Sequence, residues 1–269
     1  MEINPQSIWS DVQAIKKKSP LIHNVTNYVT MEQSANSLLA IGASPVMAHA
    51  VEEVEDMVGI SQSLVLNIGT LSPSWIQGMM LAIKAAQKKG IPIVFDPAGS
   101  GATPYRTMTA DSILKSGSLT AIKGNASEIA ALCGKQTHST KGVDSTLNPL
   151  DCMEKAKALA LKRKCIVIVS GATDIVTNGK SVYLIRNGHF LMEKVTGMGC
   201  IASALMGSFL AVNQNPLVAC VHTMSVMGIA GEAAAQNCLG VGTFKISFLD
   251  SLYNLSLAHI QRALRLEKV

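Results

Sequence analysis

Two glycines lead directly into a small-residue apolar run in Thr196-Gly197-Met198-Gly199-Cys200-Ile201-Ala202-Ser203-Ala204-Leu205, which reads as a helix. The first N–H groups of a helix have no intrahelical partner, and glycines let an anion approach them and the positive end of the dipole. Cys200 falls in the first turn, where a thiol pKa can be lowered. A cysteine beside Ile201 and Ala202 also reads as a small buried hydrophobe. Gly197, Gly199 and Ala202 fit the dinucleotide pattern G-x-G-x-x-A, but no acidic residue stands about 20 positions further on, around Ala219-Cys220-Val221-His222. Gly179-Lys180-Ser181 resembles the end of a Walker sequence, with Asp174 where the first glycine should be. Asn178-Gly179 instead reads as a tight turn between Asp174-Ile175-Val176 and Ser181-Val182-Tyr183-Leu184-Ile185.

Other polar groups follow apolar runs that read as strands. Ile91-Pro92-Ile93-Val94-Phe95 delivers Asp96, a candidate for holding a cation or for capping the loop Pro97-Ala98-Gly99-Ser100-Gly101-Ala102. Leu119-Thr120-Ala121-Ile122 runs into Lys123-Gly124-Asn125-Ala126-Ser127-Glu128, in which Asn125 and Glu128 have the spacing of a capping box. Cys165-Ile166-Val167-Ile168-Val169 ends at Ser170-Gly171, and Pro20-Leu21-Ile22-His23 ends at the polar loop Asn24-Val25-Thr26-Asn27. His23, Asn24 and Asn27 are ligand candidates whose residue types serve turns equally well.

The elements that must carry these groups alternate along the chain. Helices are expected over Ile8–Lys18, blocked by Pro20, then over Met31–Ile41, from Ser72-Pro73 to Lys89, and from Pro149 to Lys162. Strands are expected at Pro45-Val46-Met47-Ala48 and Ser63–Ile68, a short helix starts at the acidic run Glu52–Asp56, and two or three helices finish the chain. Strand, helix and strand at this spacing imply right-handed parallel crossovers, and ligands then lie beyond the carboxyl ends of the strands.

At 269 residues, with no linker or repeat, the chain is expected to form one α/β domain over 1–269. Hydrophobic residues make up 48% and charged residues 15%, which suits a well-covered fold with surface hidden in an oligomer. A net charge of +5, with Lys16-Lys17-Lys18 and Lys162-Arg163-Lys164 at helix ends, argues against a nucleic-acid footprint. Six cysteines without a C-x-x-C pair argue against a zinc site or a disulfide framework and for a reducing, cytoplasmic setting. Met1-Glu2-Ile3-Asn4-Pro5 carries no secretory pattern, and Leu217–Ala235, interrupted by His222, Ser225 and Glu232, reads as a buried helix and not a membrane span.

Taken together, these segments resemble the ribokinase-like superfamily of small-molecule kinases, and more closely the hydroxyethylthiazole kinase family. Six segments carry the resemblance in order: His23 to Thr30, Gly42 to Ala50, Leu66 to Leu71, Asp96-Pro97 with Gly99 and Gly101-Ala102-Thr103, Gly124 to Ile129, and Thr196 to Cys200. The resemblance implies a ribokinase-like three-layer sandwich with a mostly parallel central sheet flanked by helices. It implies transfer of the ATP γ-phosphoryl to the hydroxyl of 4-methyl-5-(2-hydroxyethyl)thiazole, in thiamine biosynthesis and salvage, by a homotrimer with sites between subunits. Carried over by position, Met47 and Gly197 meet the thiazole together with His23 and Asn27. Lys123, Asn125 and Ser170 meet ATP, and Asp96 and Glu128 serve Mg²⁺, directly or through water. Gly197, Gly199 and Cys200 face the transferring group. Cys200 stands where related sugar kinases have a proton-accepting aspartate, which leaves a thiolate or the phosphate itself as the acceptor. Lys123 replaces the family's usual arginine, and Ala98 and Ser100 replace the commoner Val and Ala. Rival readings are another ribokinase-like enzyme, a dinucleotide-dependent oxidoreductase and a catalytically silent ligand-binding protein.

Overall fold

The computed structural model describes residues 3–134 and 149–269. Its elements in chain order are α1 (Pro5–Lys18), β1 (Leu21–Val25), α2 (Met31–Ile41), β2 (Ser44–Val46), α3 (Val54–Ile60), β3 (Ser63–Asn67), α4 (Pro73–Lys89) and β4 (Ile93–Asp96). There follow α5 (Pro104–Lys115), β5 (Ala121–Asn125), α6 (Ala126–Leu132), α7 (Met153–Arg163), β6 (Ile166–Ser170) and the hairpin β7 (Asp174–Thr177) and β8 (Val182–Ile185). The chain closes with α8 (Met198–Val212), α9 (Pro216–Gln236), α10 (Val241–Tyr253), α11 (Leu257–Ala263) and β9 (Leu266–Lys268). Short 3-10 turns at Pro149–Cys152 and Phe190–Lys194 lead into α7 and towards α8.

The helix boundaries follow local chemistry. Ser72 Oγ accepts from Trp75 N at 3.3 Å and Pro73 opens α4, where its missing N–H costs nothing. Asn4 and Ser7 cap α1 reciprocally, and the three lysines of its last turn oppose the dipole.

Within the described residues one sheet runs in the order β2-β1-β3-β4-β5-β6-β7-β8-β9. β2 to β6 pair in parallel, and β7, β8 and β9 extend the sheet by antiparallel pairing. β3 and β4 are buried along their whole length, as strands covered on both faces must be. Alternation then sorts their side chains into two cores. Val65, Val94 and Ile168 join a cluster with α1, α2, α8, α9, α10 and α11, whereas Leu66, Phe95 and Val167 join one with α3 to α7. This is the expected three-layer sandwich with its mostly parallel central sheet.

The expected helices and strands are present, with shifted ends and two additions. β1 continues to Val25, because Asn24 and Val25 stay paired with Val65 and Leu66 of β3. α5 and β9 were not anticipated. The apolar stretch from Leu217 lies in α9, which is long and apolar enough to cross a membrane, but 83% of its most apolar 18-residue stretch is buried inside the protein.

Candidate active site

The parallel strands deliver a transverse row of polar residues at their carboxyl ends. Asn67 of β3 is in register with Asp96 of β4, and Lys123 of β5 follows the last β4–β5 pair, Phe95 with Ile122. Each stands two residues after a member of one core cluster, Val65, Val94 or Ala121, so alternation turns all three towards the face that α8 covers. Three side-chain bonds fasten α8 to the row. Asn67 Nδ2 donates to Cys200 Sγ at 3.2 Å, Ser203 Oγ to Asp96 Oδ2 at 2.6 Å, and Lys123 Nζ to the Gly199 carbonyl at 3.0 Å.

Gly197 is the N-cap of α8 with φ 93°, a backbone state that disfavours any residue with a Cβ. A Cβ there would lie 2.6 Å from Thr30 Cγ2. The helix start, whose first N–H groups have no intrahelical partner, is therefore packed against the start of α2. Asn27 connects the two. Its Nδ2 donates to Asn67 Oδ1 at 2.9 Å and to Cys200 Sγ at 3.3 Å, while its Oδ1 accepts from Thr30 N and Oγ1.

Glu128 serves two purposes at once. The capping box with Asn125 is complete, Glu128 N donating to Asn125 Oδ1 at 2.9 Å and Asn125 N to Glu128 Oε2 at 2.8 Å. Its other oxygen accepts from Gly99 N at 2.8 Å, which ties the loop after β4 to the start of α6.

The carboxylates are charge-starved. Burial raises the Asp96 pKa above the usual carboxylate range, against the pull of the Lys123 ammonium, the Ser203 hydroxyl and Asn67. Glu128 is pushed to about 7 by burial and by Asp96, against the Gly99 and Asn125 N–H groups and Lys123. Two buried carboxyl groups that repel each other, with one ammonium nearby, make a site that an added cation would stabilise. Mg²⁺ binds through one or two carboxylates plus substrate phosphates. Asp96 and Glu128 match that number of carboxylates; among the described residues no group of three or more His, Cys, Asp or Glu side chains could hold a metal ion.

The helix start does not lower the Cys200 pKa. Burial and the Asp96 charge raise it, outweighing Lys123, Thr30 and Asn27. The sulfur accepts from two amides, but burial and Asp96 disfavour its thiolate. This corrects the expectation drawn from the helix dipole alone.

His23 also departs from expectation. Val25, two residues on, packs in the core of α3 to α7, so alternation turns His23 away from α8; its Nε2 donates to the Ala48 carbonyl at 2.7 Å. Burial lowers its pKa, and the ring is fully buried. Instead of lining the row, it anchors the segment next to Met47, which is half-buried just past edge strand β2. Asn24, one position further, faces the α8 side, with Nδ2 donating to the Ile22 carbonyl at 2.9 Å. Ser170 ends β6 opposite Asn125, its Oγ 3.4 Å from the Gly124 carbonyl.

Sequence reasoning missed four residues. Asn67, Thr30 and Ser203 are polar positions whose partners are distant in sequence. Arg106, in the first turn of α5, donates to the Ile68, Gly69 and Ala98 carbonyls at 2.7, 2.7 and 2.9 Å and so clamps the loops after β3 and β4. Thr103-Pro104, a helix-start signal, could have revealed it. The dinucleotide reading loses its remaining support, because a 3-10 turn and not a strand precedes α8.

A mostly parallel sheet between helical layers, with carboxylates, an ammonium and a glycine helix start gathered at the strand carboxyl ends, defines the ribokinase-like class. A ribokinase-like superfamily protein from Enterococcus faecalis V583 shares this fold at TM-score 0.62 and 15% identity, covering 90% of this chain and 87% of that one. Residues 12–258 match the model of the hydroxyethylthiazole kinase family. The hydroxyethylthiazole kinase of Syntrophus aciditrophicus is 52% identical over 266 residues, 99% of this chain and 98% of that protein. The structure of the hydroxyethylthiazole kinase protein from Pyrococcus horikoshii OT3 superposes at TM-score 0.90 with 37% identity, covering 98% and 99% of the two chains. The chain belongs to the hydroxyethylthiazole kinase family.

Proposed function

We infer that this chain transfers the γ-phosphoryl group of ATP to the primary hydroxyl of 4-methyl-5-(2-hydroxyethyl)thiazole, in thiamine biosynthesis and salvage. The alcohol oxygen attacks the γ-phosphorus, the bond to the β–γ bridging oxygen breaks, ADP departs, and the hydroxyl proton is released. The observation that carries this reading is the start of α8, held at the strand ends by Asn67, Asp96 and Lys123, since the first N–H groups of a helix have no intrahelical partner. Phosphoryl transfer asks little covalent chemistry of the protein; positioning and charge stabilisation supply most of the rate.

In this reading Gly197, Gly199 and Cys200 offer backbone donors to the transferring group, and one such donor is worth roughly 3–4 kcal/mol. Lys123 supplies positive charge beneath them and, with Asn125 and Ser170, faces ATP. Asn27, Gly197 and Met47 meet the thiazole, and His23 holds the Met47 segment. Asp96 and Glu128 would hold Mg²⁺, which when bound neutralises phosphate charge. Burial and the Asp96 charge, which disfavour the thiolate although two amides donate to Cys200 Sγ, favour a positioning thiol, with the proton leaving on phosphate.

A single domain over residues 1–269 acts in a homotrimer, in our proposal. Half-exposed edge strand β2 and the exposed Tyr28, Val29 and Leu39 support a subunit contact beside Met47. The described cysteines are all free, in keeping with a reducing cytoplasm. Light scattering at micromolar concentration gives a trimer mass if this is right and a monomer mass if it is not.

The activity test is ADP release from ATP and Mg²⁺ with and without hydroxyethylthiazole, with the phosphorylated product identified by mass. Thiazole-dependent release supports the reading. Folded protein that releases none returns the acceptor to other alcohols.

A further inference from the structure

We propose that Ser203 is a positioning residue for the metal-binding carboxylate, fixing the orientation in which Asp96 meets the cation; this rests on the reading of Asp96 as a magnesium ligand. Ser203 lies in the second turn of α8, one turn after Gly199, and its side chain is fully buried. A serine in a helix usually bonds back to the carbonyl four residues earlier. Here that carbonyl, Gly199 O, is 3.3 Å away and already accepts from Lys123 Nζ at 3.0 Å. The single hydroxyl proton goes instead to Asp96 Oδ2 at 2.6 Å, across 107 positions of sequence. Asp96 is itself 3% exposed and ends β4.

The bond fixes the rotation of the carboxylate. With Oδ2 bound to Ser203 on the α8 side and Asn67 also hydrogen-bonded to the carboxyl, the carboxylate is held in one orientation towards the cation, which it would meet directly or through a water. The same helix carries the phosphate-facing N–H groups at Gly199 and Cys200, so one hydroxyl sets the distance between the anion site and the carboxylate. Groups that orient a metal ligand in this way typically change metal affinity by about 10- to 100-fold when removed.

The test is Mn²⁺ binding, followed by its electron paramagnetic resonance signal, to the full-length protein holding a non-hydrolysable ATP analogue. Parallel calorimetry with hydroxyethylthiazole and with metal-free nucleotide reports the rest of the site. Ser203→Ala is expected to weaken Mn²⁺ binding about 10-fold or more, with thiazole and metal-free nucleotide affinities within about twofold, and Ser203→Thr, which keeps the hydroxyl, to restore most of the loss. Mn²⁺ affinity unchanged in Ser203→Ala overturns the proposal. So does equal weakening of every ligand together with a lowered Tm that Thr does not rescue, since that pattern marks a packing role. Asp96→Asn separates the two levels of argument. If it too leaves Mn²⁺ binding intact, the assignment of Asp96 is wrong; if it abolishes binding while Ser203→Ala does nothing, only the role of Ser203 falls.

Discussion

Replacing Gly197 by alanine tests whether the start of α8 is the reacting edge of the protein. The added methyl must occupy a backbone state at φ 93° and sits 2.6 Å from Thr30 Cγ2 and 3.2 Å from Gln33 Oε1. The conformational penalty for a left-handed residue is about 1–2 kcal/mol, and overpacking adds about 1–3 kcal/mol. The strain of roughly 2–5 kcal/mol lies within the usual total stability of about 5–15 kcal/mol, so the chain stays folded. For a protein of this size each kcal/mol lowers Tm by about 2–4 °C, giving a fall of roughly 4–20 °C. Relief comes by turning the helix start away from Thr30, and a shift near 1 Å at the reacting atoms costs about 100-fold in rate. Gly199→Ala is the matched control. Its methyl would meet only the end of the Lys123 side chain, at 3.0 Å, and its backbone has no positive φ. That variant keeps Tm within a few degrees while kcat falls as Lys123 is displaced. Circular dichroism melting and an ADP-coupled assay read both quantities. If Gly197→Ala retains wild-type kcat/KM and Tm, the helix start is not what orders the reacting groups.

Cys200→Asp is expected to retain turnover, because a carboxylate at that position can take the hydroxyl proton that otherwise leaves on phosphate; a folded but inactive variant would show that position 200 does not face the acceptor hydroxyl. Arg106→Lys replaces a planar fork that binds three carbonyls with a point charge; Tm should fall by several degrees and the nucleotide KM should rise, and an unchanged melt would show that the loops hold themselves. The Asp174 carboxyl is pushed up to about 7 by burial, against the Gly171 N–H and Lys123. Folded protein therefore keeps this proton while the unfolded chain loses it near pH 4, so stability drains away as pH rises from about 4 to 7. Asp174→Asn removes that loss. Its stability relative to wild type should climb across the window, by up to roughly 4 kcal/mol, and level off above it. A pH-independent difference in urea melts would refute the burial argument.

Much of the scaffold was legible because its signals are local. Ser72-Pro73 and the lysines before Gly90 bracket α4, and Ile166 to Val169 is apolar throughout because both its faces are covered. α5 escaped notice because its exposed positions include the apolar Tyr105 and Met108, and only Thr109, Ala110, Ile113 and Leu114 are buried. β9 is three residues long and two of them are charged; only pairing with Tyr183, Leu184 and Ile185 makes it a strand. In the site, the strand-end logic singled out Asp96 as a cation candidate, since a carboxyl after an apolar run is visible in one dimension, whereas the spacing of Asn125 and Glu128 read as a cap and the ligand roles of Lys123 and Glu128 came only with the family resemblance. It could not give the direction of His23, which depends on where β1 starts its alternation. Nor could it give the Cys200 pKa, which depends on Asp96 and burial as much as on the helix that carries the thiol.

The bonds that fasten α8 to the sheet also bear on how the protein comes to be active. Asn27 meets Cys200 across 173 positions, Asn67 across 133, Asp96 meets Ser203 across 107 and Lys123 meets Gly199 across 76. Contacts of such separation close late, after the loop entropy between them has been overcome. During synthesis the first five strands emerge well before the helix that completes their edge, so a ribosome-bound fragment ending before residue 196 holds the carboxylates without their helix. Ligand affinity is then a property of the finished chain. A ligand that binds only there stabilises the protein as a whole, by RT ln(1 + [L]/Kd), and slows amide exchange in β1 as much as in α8.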